Sequence, residues 1–386
     1  LYSSQNMDKE FSSEELSAEV LKKLKSFVTD DKFKSVVITV PAKFTVNQTD
    51  ATIRAAKLAG FEQCELLQEP IAAAMAFGLK SSDKGGIWLV FDFGGGTFDA
   101  ALLMVEDGIM KVFDTEGDNY LGGKNIDYAI VDGIIISYLK KKKKIMSIIE
   151  DSVKMEILRD AMKQYAEEAK IQMSYRETHN ILSDIGDIPC EDDEGKEFEL
   201  DLTISQIDLG EVITPIFQKS VDICKDLLRR NNISGSQLDK IILVGGPTYS
   251  PILRKMLKEQ ITEKVDTSCD PMTVVAKGAA LYASTINISE KIFDELRDRR
   301  KIQLSLGYEA TTVEPVEFVT IKILKEKSEG LIPNKCFAEI VRADKAWASG
   351  RVQIDEVGEV VEVALESDKA NSFNILLYNE VGDHLP

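Results

Sequence analysis

Histidine is nearly missing from this sequence: among 386 residues only His179 and His384 occur. The five cysteines, Cys64, Cys190, Cys224, Cys269 and Cys336, are scattered and form no CxxC pair. A His/Cys metal site or a histidine-based triad therefore lacks its side chains. Reduced, mostly buried thiols in a cytoplasmic setting are expected instead. Positive charge is also short, with 47 Lys plus Arg against 65 Asp plus Glu and a net charge of −18. Such a chain is ill suited to gripping nucleic-acid phosphates. No apolar run approaches the ~20 residues that a membrane span needs, and no signal peptide is recognisable. Neither nucleic acid nor membrane is thus expected as a partner. Leu1 in place of Met fits a piece of a longer protein.

What is present describes a folded chain. Hydrophobic residues make up 44% and charged residues 29%, the balance of a soluble globular protein. The length exceeds one ordinary core, so two or three domains are expected. The most informative stretch is FDFGGGTFD, residues 91–99. Short apolar runs on either side, 87–90 and 100–105, predict two strands joined by a tight turn. Gly94, Gly95 and Gly96 remove every Cβ from that turn, so backbone N–H groups can close on an anion. Thr97 adds a hydroxyl donor. Asp92 and Asp99 flank the loop with carboxylates suited to orienting water on a hard cation such as Mg²⁺. A plain hairpin turn is the competing explanation, but it needs one or two glycines, not three between aspartates.

In chain order, residues 13–28 predict an amphipathic helix. Ser13 with Glu15 supplies the capping signal, and Leu16, Val20, Leu21, Leu24 and Phe27 form the buried face. VVITVP (36–41) reads as a central strand, followed by a helix over 48–59 closed by Gly60. A strand at 64–68 runs through Glu69-Pro70 into an alanine-rich helix, 71–78. Glu69 sits at the strand-to-helix junction where α/β folds place ligand chemistry, although, taken alone, an acid complementing the helix dipole explains it better. The unit recurs as a strand over 240–247, a helix, Asp270-Pro271 and a small-residue helix over 272–283. That recurrence predicts an internal duplication, with Gly94–Gly96 and Gly245–Gly246 on facing or adjoining walls of a cleft.

Residues 122–200 read as an insertion with helices over about 127–148 and 151–173. The lysine run 140–144 is expected to be a solvated helix face. Glu167, Lys170 and Ser174 share one helix face, either salt-bridged to solvent or turned to a ligand. The charged stretch 290–301 marks a boundary. Five β-like runs follow, at 318–324, 336–343, 351–357, 360–366 and 374–380, and predict a separate, partial β-sandwich.

Taken together, VVITVPAKF (36–44), LLQEPIAAAMAFG (66–78), LVFDFGGGTFDAALL (89–103), LGGKNID (121–127), AEEAKIQMS (166–174) and LVGGPTYSP (243–251) resemble the DnaK-type seventy-kilodalton heat-shock chaperones, in order and spacing, across 1–285. The resemblance implies an α/β, actin-like ATPase fold with two lobes around a nucleotide cleft, the first lobe incomplete. It assigns 286–302 to a linker and 303–386 to a small all-β, sandwich-like peptide-binding domain. Its cofactors would be ATP or ADP with Mg²⁺. Its partners would be unfolded or extended polypeptides, a J-domain co-chaperone and a nucleotide-exchange factor.

By the same resemblance, Gly94, Gly95, Gly96 and Thr97 match a phosphate loop. Asp92 matches the carboxylate that positions Mg²⁺-bound or attacking water. Glu69 matches an acid used in hydrolysis and domain coupling, touching magnesium through water. Gly123 matches a turn beside ribose and phosphates. Glu167, Lys170 and Ser174 match the helix over adenosine, with Gly245 and Gly246 beneath it.

Departures from the pattern are Lys124 for the usual Glu, Ile171 for Arg, Pro247 and Tyr249 for Ser and Arg, and Met272 for an acid. The family's first phosphate loop and the lysine after it have no match in these residues, so weak ATP hydrolysis by this chain is the expectation. The function implied is an ATP-controlled chaperone for unfolded chains. A degenerate, nucleotide-sensing adaptor with one specific partner is the alternative.

Overall fold

The computed structural model describes residues 2–4, 7–29, 33–77, 85–106, 109–286, 292, 300–309, 312, 314–329, 331–366 and 371–385. The expected linker, 286–302, lies largely outside them.

The chain opens with a two-stranded ribbon, β1 (Tyr2–Ser4) and β2 (Met7–Phe11), and helix α1 (Ser13–Lys25). The capping box uses Ser12 with Glu15, not Ser13, because the reciprocal bonds need a spacing of three. The helix forms as expected, but its expected buried face is wrong. Ala18 is buried and Leu21 partly so, whereas Leu16, Val20, Leu24 and Phe27 are exposed. The physical reason is that α1 meets α2 (Val46–Leu58) through its small-residue side, in a cluster with Ala56, Ala59 and Phe61.

Strand β3 (Ser35–Val40) precedes α2, and β4 (Gln63–Gln68) pairs parallel with it before α3 (Glu69–Phe77). The meander β5 (Gly86–Phe93), β6 (Phe98–Glu106) and β7 (Ile109–Asp118) follows. Then come α4 (Gly123–Ile130), a π-helical turn at 131–135, α5 (Ile136–Lys142), α6 (Met146–Ile149) and the long α7 (Ser152–Gln172). Three of the five lysines of the 140–144 run end α5 in solvent, as expected for a solvated face. A hairpin of β8 (Thr178–Leu182) and β9 (Asp201–Ser205) leads into α8 (Gln206–Arg230).

The repeat of the β3–α2–β4–α3 unit is β10 (Leu238–Val244), α9 (Pro251–Gln260), β11 (Val265–Asp266) and α10 (Val274–Thr285), with β10 and β11 again parallel. The final helices of the two units pack directly on each other. A Cβ on Gly278 would lie 1.7 Å from the Ala72 carbonyl oxygen, so only glycine permits this approach.

The main sheet has the order β11-β10-β5-β6-β7, with β10 parallel to β5 and the rest of the meander antiparallel. Alternation along β5 sends Leu89, Phe91 and Phe93 to one face and Trp88 and Val90 to the other, and all five are buried. A strand apolar on both faces requires cover on both sides. Helices α4, α7 and α8 pack their apolar residues onto the first face. Ala73, Ala74 and Val274 of α3 and α10 pack onto the second.

The C-terminal strands are β12 (Leu304–Gly307), β13 (Val316–Ile323), β14 (Cys336–Arg342), β15 (Ala348–Ile354), β16 (Glu359–Ala364), β17 (Phe373–Asn379) and β18 (His384–Leu385). They form two antiparallel sheets, β12-β13-β16 and β15-β14-β17-β18, around one apolar cluster that includes Ile321, Ala338, Ile340 and Val363. β12 and β18 add to the five strands expected. Among the described residues no helix is long and apolar enough to cross a membrane.

Candidate phosphate-loop cleft and carboxylate cavity

The glycine hairpin stands on an aromatic pedestal. Phe91, Phe93, Phe98 and Phe217 are all at most 1% exposed, with ring centroids 4.7–6.4 Å apart. Burying rings of this size contributes roughly 2 kcal/mol each, which fixes the strand ends below the loop. The Gly94 N–H donates to the Thr97 carbonyl at 2.9 Å, leaving Gly95 and Gly96 as the two-residue tip. None of the three glycines takes a left-handed φ, and a Cβ on Gly95 would meet nothing within 4 Å.

The close approach is made by Gly122, at the start of α4. The Gly123 N–H donates to the Gly94 carbonyl (2.9 Å) and the Lys124 N–H to the Gly95 carbonyl (2.8 Å). A Cβ on Gly122 would fall 2.5 Å from the Gly96 backbone. From the other side, Gly245 adopts φ +89°, and a Cβ there would lie 2.2 Å from the Phe93 carbonyl oxygen. Two glycine turns and the glycine hairpin therefore form one backbone cradle. The loop carbonyls face α4. Among the described residues, no hydrogen bond within the protein takes the N–H groups of Gly95, Gly96 and Thr97.

The cradle borders a cleft of about 570 Å³, within the usual range for small-molecule sites. Of the residues singled out from sequence, Gly95, Gly123, Glu167, Lys170, Ser174 and Gly246 line it, while Gly94, Gly96, Thr97 and Gly245 build the hairpin and turn behind. Lys170 is not a loose cation. Its Nζ donates to Asp127 Oδ1 at 2.5 Å, and both side chains are largely buried. Burial pushes the Asp127 carboxyl up against the opposing pull of Lys170. Ser174 Oγ donates to the Lys170 carbonyl at 3.2 Å.

The residues that depart from the chaperone pattern, Ile171, Pro247, Tyr249 and Met272, also line the cleft, with Tyr175. The Tyr175 and Tyr249 rings lie 5.6 Å apart, and the Arg254 guanidinium sits over Tyr249 at 5.6 Å. The Tyr249 hydroxyl donates to Asp270, which pushes the phenol up to about 12. The same bond holds the Asp270 carboxyl below its usual range.

Sequence reading missed the floor of this cleft, Leu209, Ile213 and Phe217 of α8. Their signal was available: Ser205-x-x-Asp208 is a capping box, and apolar residues recur at 209, 213, 217, 221 and 224. Gly122, Asp127, Tyr175 and Asp270 were also missed, and only the fold brings them to the site.

Glu69, Asp92 and Asp99 gather elsewhere, around a small cavity that Ala42, Pro70, Val90, Ala101 and Thr115 complete. Asp92 and Asp99 are direct cross-strand partners on the α3 side of the sheet. Desolvation, then the charges of Glu69 and Asp99, push Asp92 up to about 7. Glu69 is raised by burial and by Asp99, and Asp99 by burial against the pull of Lys43. Lys43 pairs with Glu116 at 3.0 Å, and Glu116 with Arg230 at 2.5 Å. Among the described residues no group of three His, Cys, Asp or Glu could hold a metal ion directly. Three carboxylates thus share one small cavity, and their charges raise the proton affinity of Asp92 and Glu69.

The Hsp70 protein family model matches residues 2–333. This chain belongs to the Hsp70 family. Membership implies the actin-like ATPase fold, and the mixed α/β architecture with several sheets agrees with it. Among curated Hsp70 relatives, the chaperone protein DnaK of Nitrosopumilus maritimus is 37% identical over 290 residues, 74% of this chain and 44% of that protein. The chaperone protein DnaK of Methanothermobacter thermautotrophicus is 36% identical over 284 residues, 72% of this chain and 46% of that protein. The chain thus spans less than half the length of these relatives.

Proposed function

We propose that this Hsp70 chain binds ATP and ADP in the cleft and uses them to control the grip of an ATP-dependent chaperone on unfolded polypeptides. The observation that carries the reading is the glycine cradle, whose unpartnered loop N–H groups border a cleft also lined by the Tyr175–Tyr249 pair. Phosphates meet the N–H groups of Gly95, Gly96 and Thr97 and the Thr97 hydroxyl, while base and ribose lie toward Tyr249, Glu167, Lys170 and Ser174. In this reading residues 1–285 are the two-lobed nucleotide unit with 122–200 inserted. Residues 286–302 link it to a peptide-binding β region, 303–386.

Phosphoryl chemistry asks the protein mainly for position and charge. Mg²⁺ would supply charge neutralisation, held through water by Asp92 and Glu69. Asp92 is the carboxylate that would take a proton from an attacking water; in the cation-free chain burial and the charges of Glu69 and Asp99 push it up to about 7. Glu69 and Asp99 keep its proton affinity high and orient the water. A J-domain co-chaperone and a nucleotide-exchange factor are the partners proposed from the family, and the five free thiols accord with a cytoplasmic setting.

The test is calorimetric titration of the chain with Mg-ATP and Mg-ADP, followed by fluorescence anisotropy of a labelled extended peptide with and without nucleotide. Saturable nucleotide binding and a nucleotide-dependent change in peptide affinity are expected. A chain that ignores both nucleotides overturns the proposal.

A further inference from the structure

We infer that Lys124 is a phosphate-contacting residue of this chain and makes the cleft discriminate ligands by their number of phosphates. The inference rests on the nucleotide reading of the cleft and adds to it the group that senses phosphate charge.

Three lysines reach the cleft, and two are already engaged. Lys170 is locked to buried Asp127. Lys163 lies 5.7 Å from the centre of the Tyr128 ring, which it shares with Arg159. Lys124 is different. Its backbone is pinned to the glycine hairpin by the bond from its N–H to the Gly95 carbonyl. Its Nζ lies 3.7 Å from the point where a Cβ on Gly96 would stand, directly beside the hairpin tip. Among the described residues no carboxylate pairs with it, although the chain carries a net charge of −18.

The geometry also explains why a side-chain cation is needed there. The first N–H groups of α4, which would otherwise attract an anion, donate to Gly94 and Gly95 carbonyls. Positive potential at the cradle must come from the loop N–H groups and from an added ammonium. An ammonium beside N–H donors makes a charge-assisted contact to a phosphate oxygen, and its strength grows with the ligand's negative charge.

The experiment compares calorimetric titrations of the chain and of Lys124→Met and Lys124→Arg with Mg-ATP, Mg-ADP and adenosine, at low and high salt. For Lys124→Met, ATP affinity is expected to fall on the order of ten-fold, as for loss of one charge-assisted hydrogen bond. The fall for ADP should be smaller, adenosine affinity should be unchanged, and the ATP effect should shrink with added salt. Lys124→Arg should retain most of the ATP affinity. Equal losses for all three ligands would mean that Lys124 only props up the hairpin, and unchanged affinities would mean that it touches nothing; either overturns the inference alone. A wild-type chain that binds none of the three removes the nucleotide reading and this inference together.

Discussion

Replacing Asp92 by asparagine should stabilise the fold while impairing the chemistry, and the pH dependence of the gain identifies its source. Asp92 is raised from 3.8 to about 7 by desolvation and by Glu69 and Asp99. The folded state therefore binds this proton more tightly than the unfolded state. Wild-type stability falls as pH climbs from about 4 to about 7 and is flat beyond, where the ionised carboxylate is strained in the native state. At 1.36 kcal/mol per unit, the shift sets a ceiling of about 4 kcal/mol. Neighbouring carboxylates and water relax part of it, so a gain of about 1–3 kcal/mol at pH 8 is expected for Asp92→Asn. Below pH 4 wild type and variant both present a neutral side chain, and the gain should vanish. Urea unfolding at pH 8 and pH 4 measures both limits. A gain of the same size at both values, or a loss at pH 8, would refute the crowded-carboxylate account. Single-turnover ATP hydrolysis should meanwhile drop, since the variant cannot take a proton.

Three further perturbations test the packing that builds the site. Gly278→Ala should cost about 2 kcal/mol or more in urea unfolding, because its methyl would overlap the Ala72 carbonyl and wedge α3 from α10. Gly122→Ala should push α4 off the hairpin and forfeit the two backbone bonds to Gly94 and Gly95, about 2 kcal/mol together; weakened ATP binding with only modest global destabilisation is the calorimetric expectation. Lys170→Met should cost about 3 kcal/mol by leaving buried Asp127 unpaired, and adding Asp127→Asn should recover most of it in a double-mutant cycle.

Much of the architecture could be read before any coordinates. Glycine, proline and β-branched runs placed the glycine hairpin, the first strand–helix–strand–helix unit and all of the second but its two-residue strand Val265–Asp266, because each is bounded by residues with one conformational meaning. The face of a helix was less legible. The spacing of Leu16, Val20 and Leu24 predicts α1 correctly as a helix, yet says nothing about which side a neighbour covers, and Ala18 is the residue that packs. The cleft floor on α8 escaped for a related reason: its apolar row is an ordinary core pattern, and only the tertiary arrangement opens part of it beneath the hairpin. Asp127 likewise reads as a surface acid until the fold buries it against Lys170.

The division of the site follows from the alternation of one pair of strands. On β5 and β6, residues 91, 93, 98 and 100 face α8 and form the pedestal of the cleft, while Asp92 and Asp99 face α3 with Glu69. The carboxylates and the cleft therefore occupy opposite faces of the sheet.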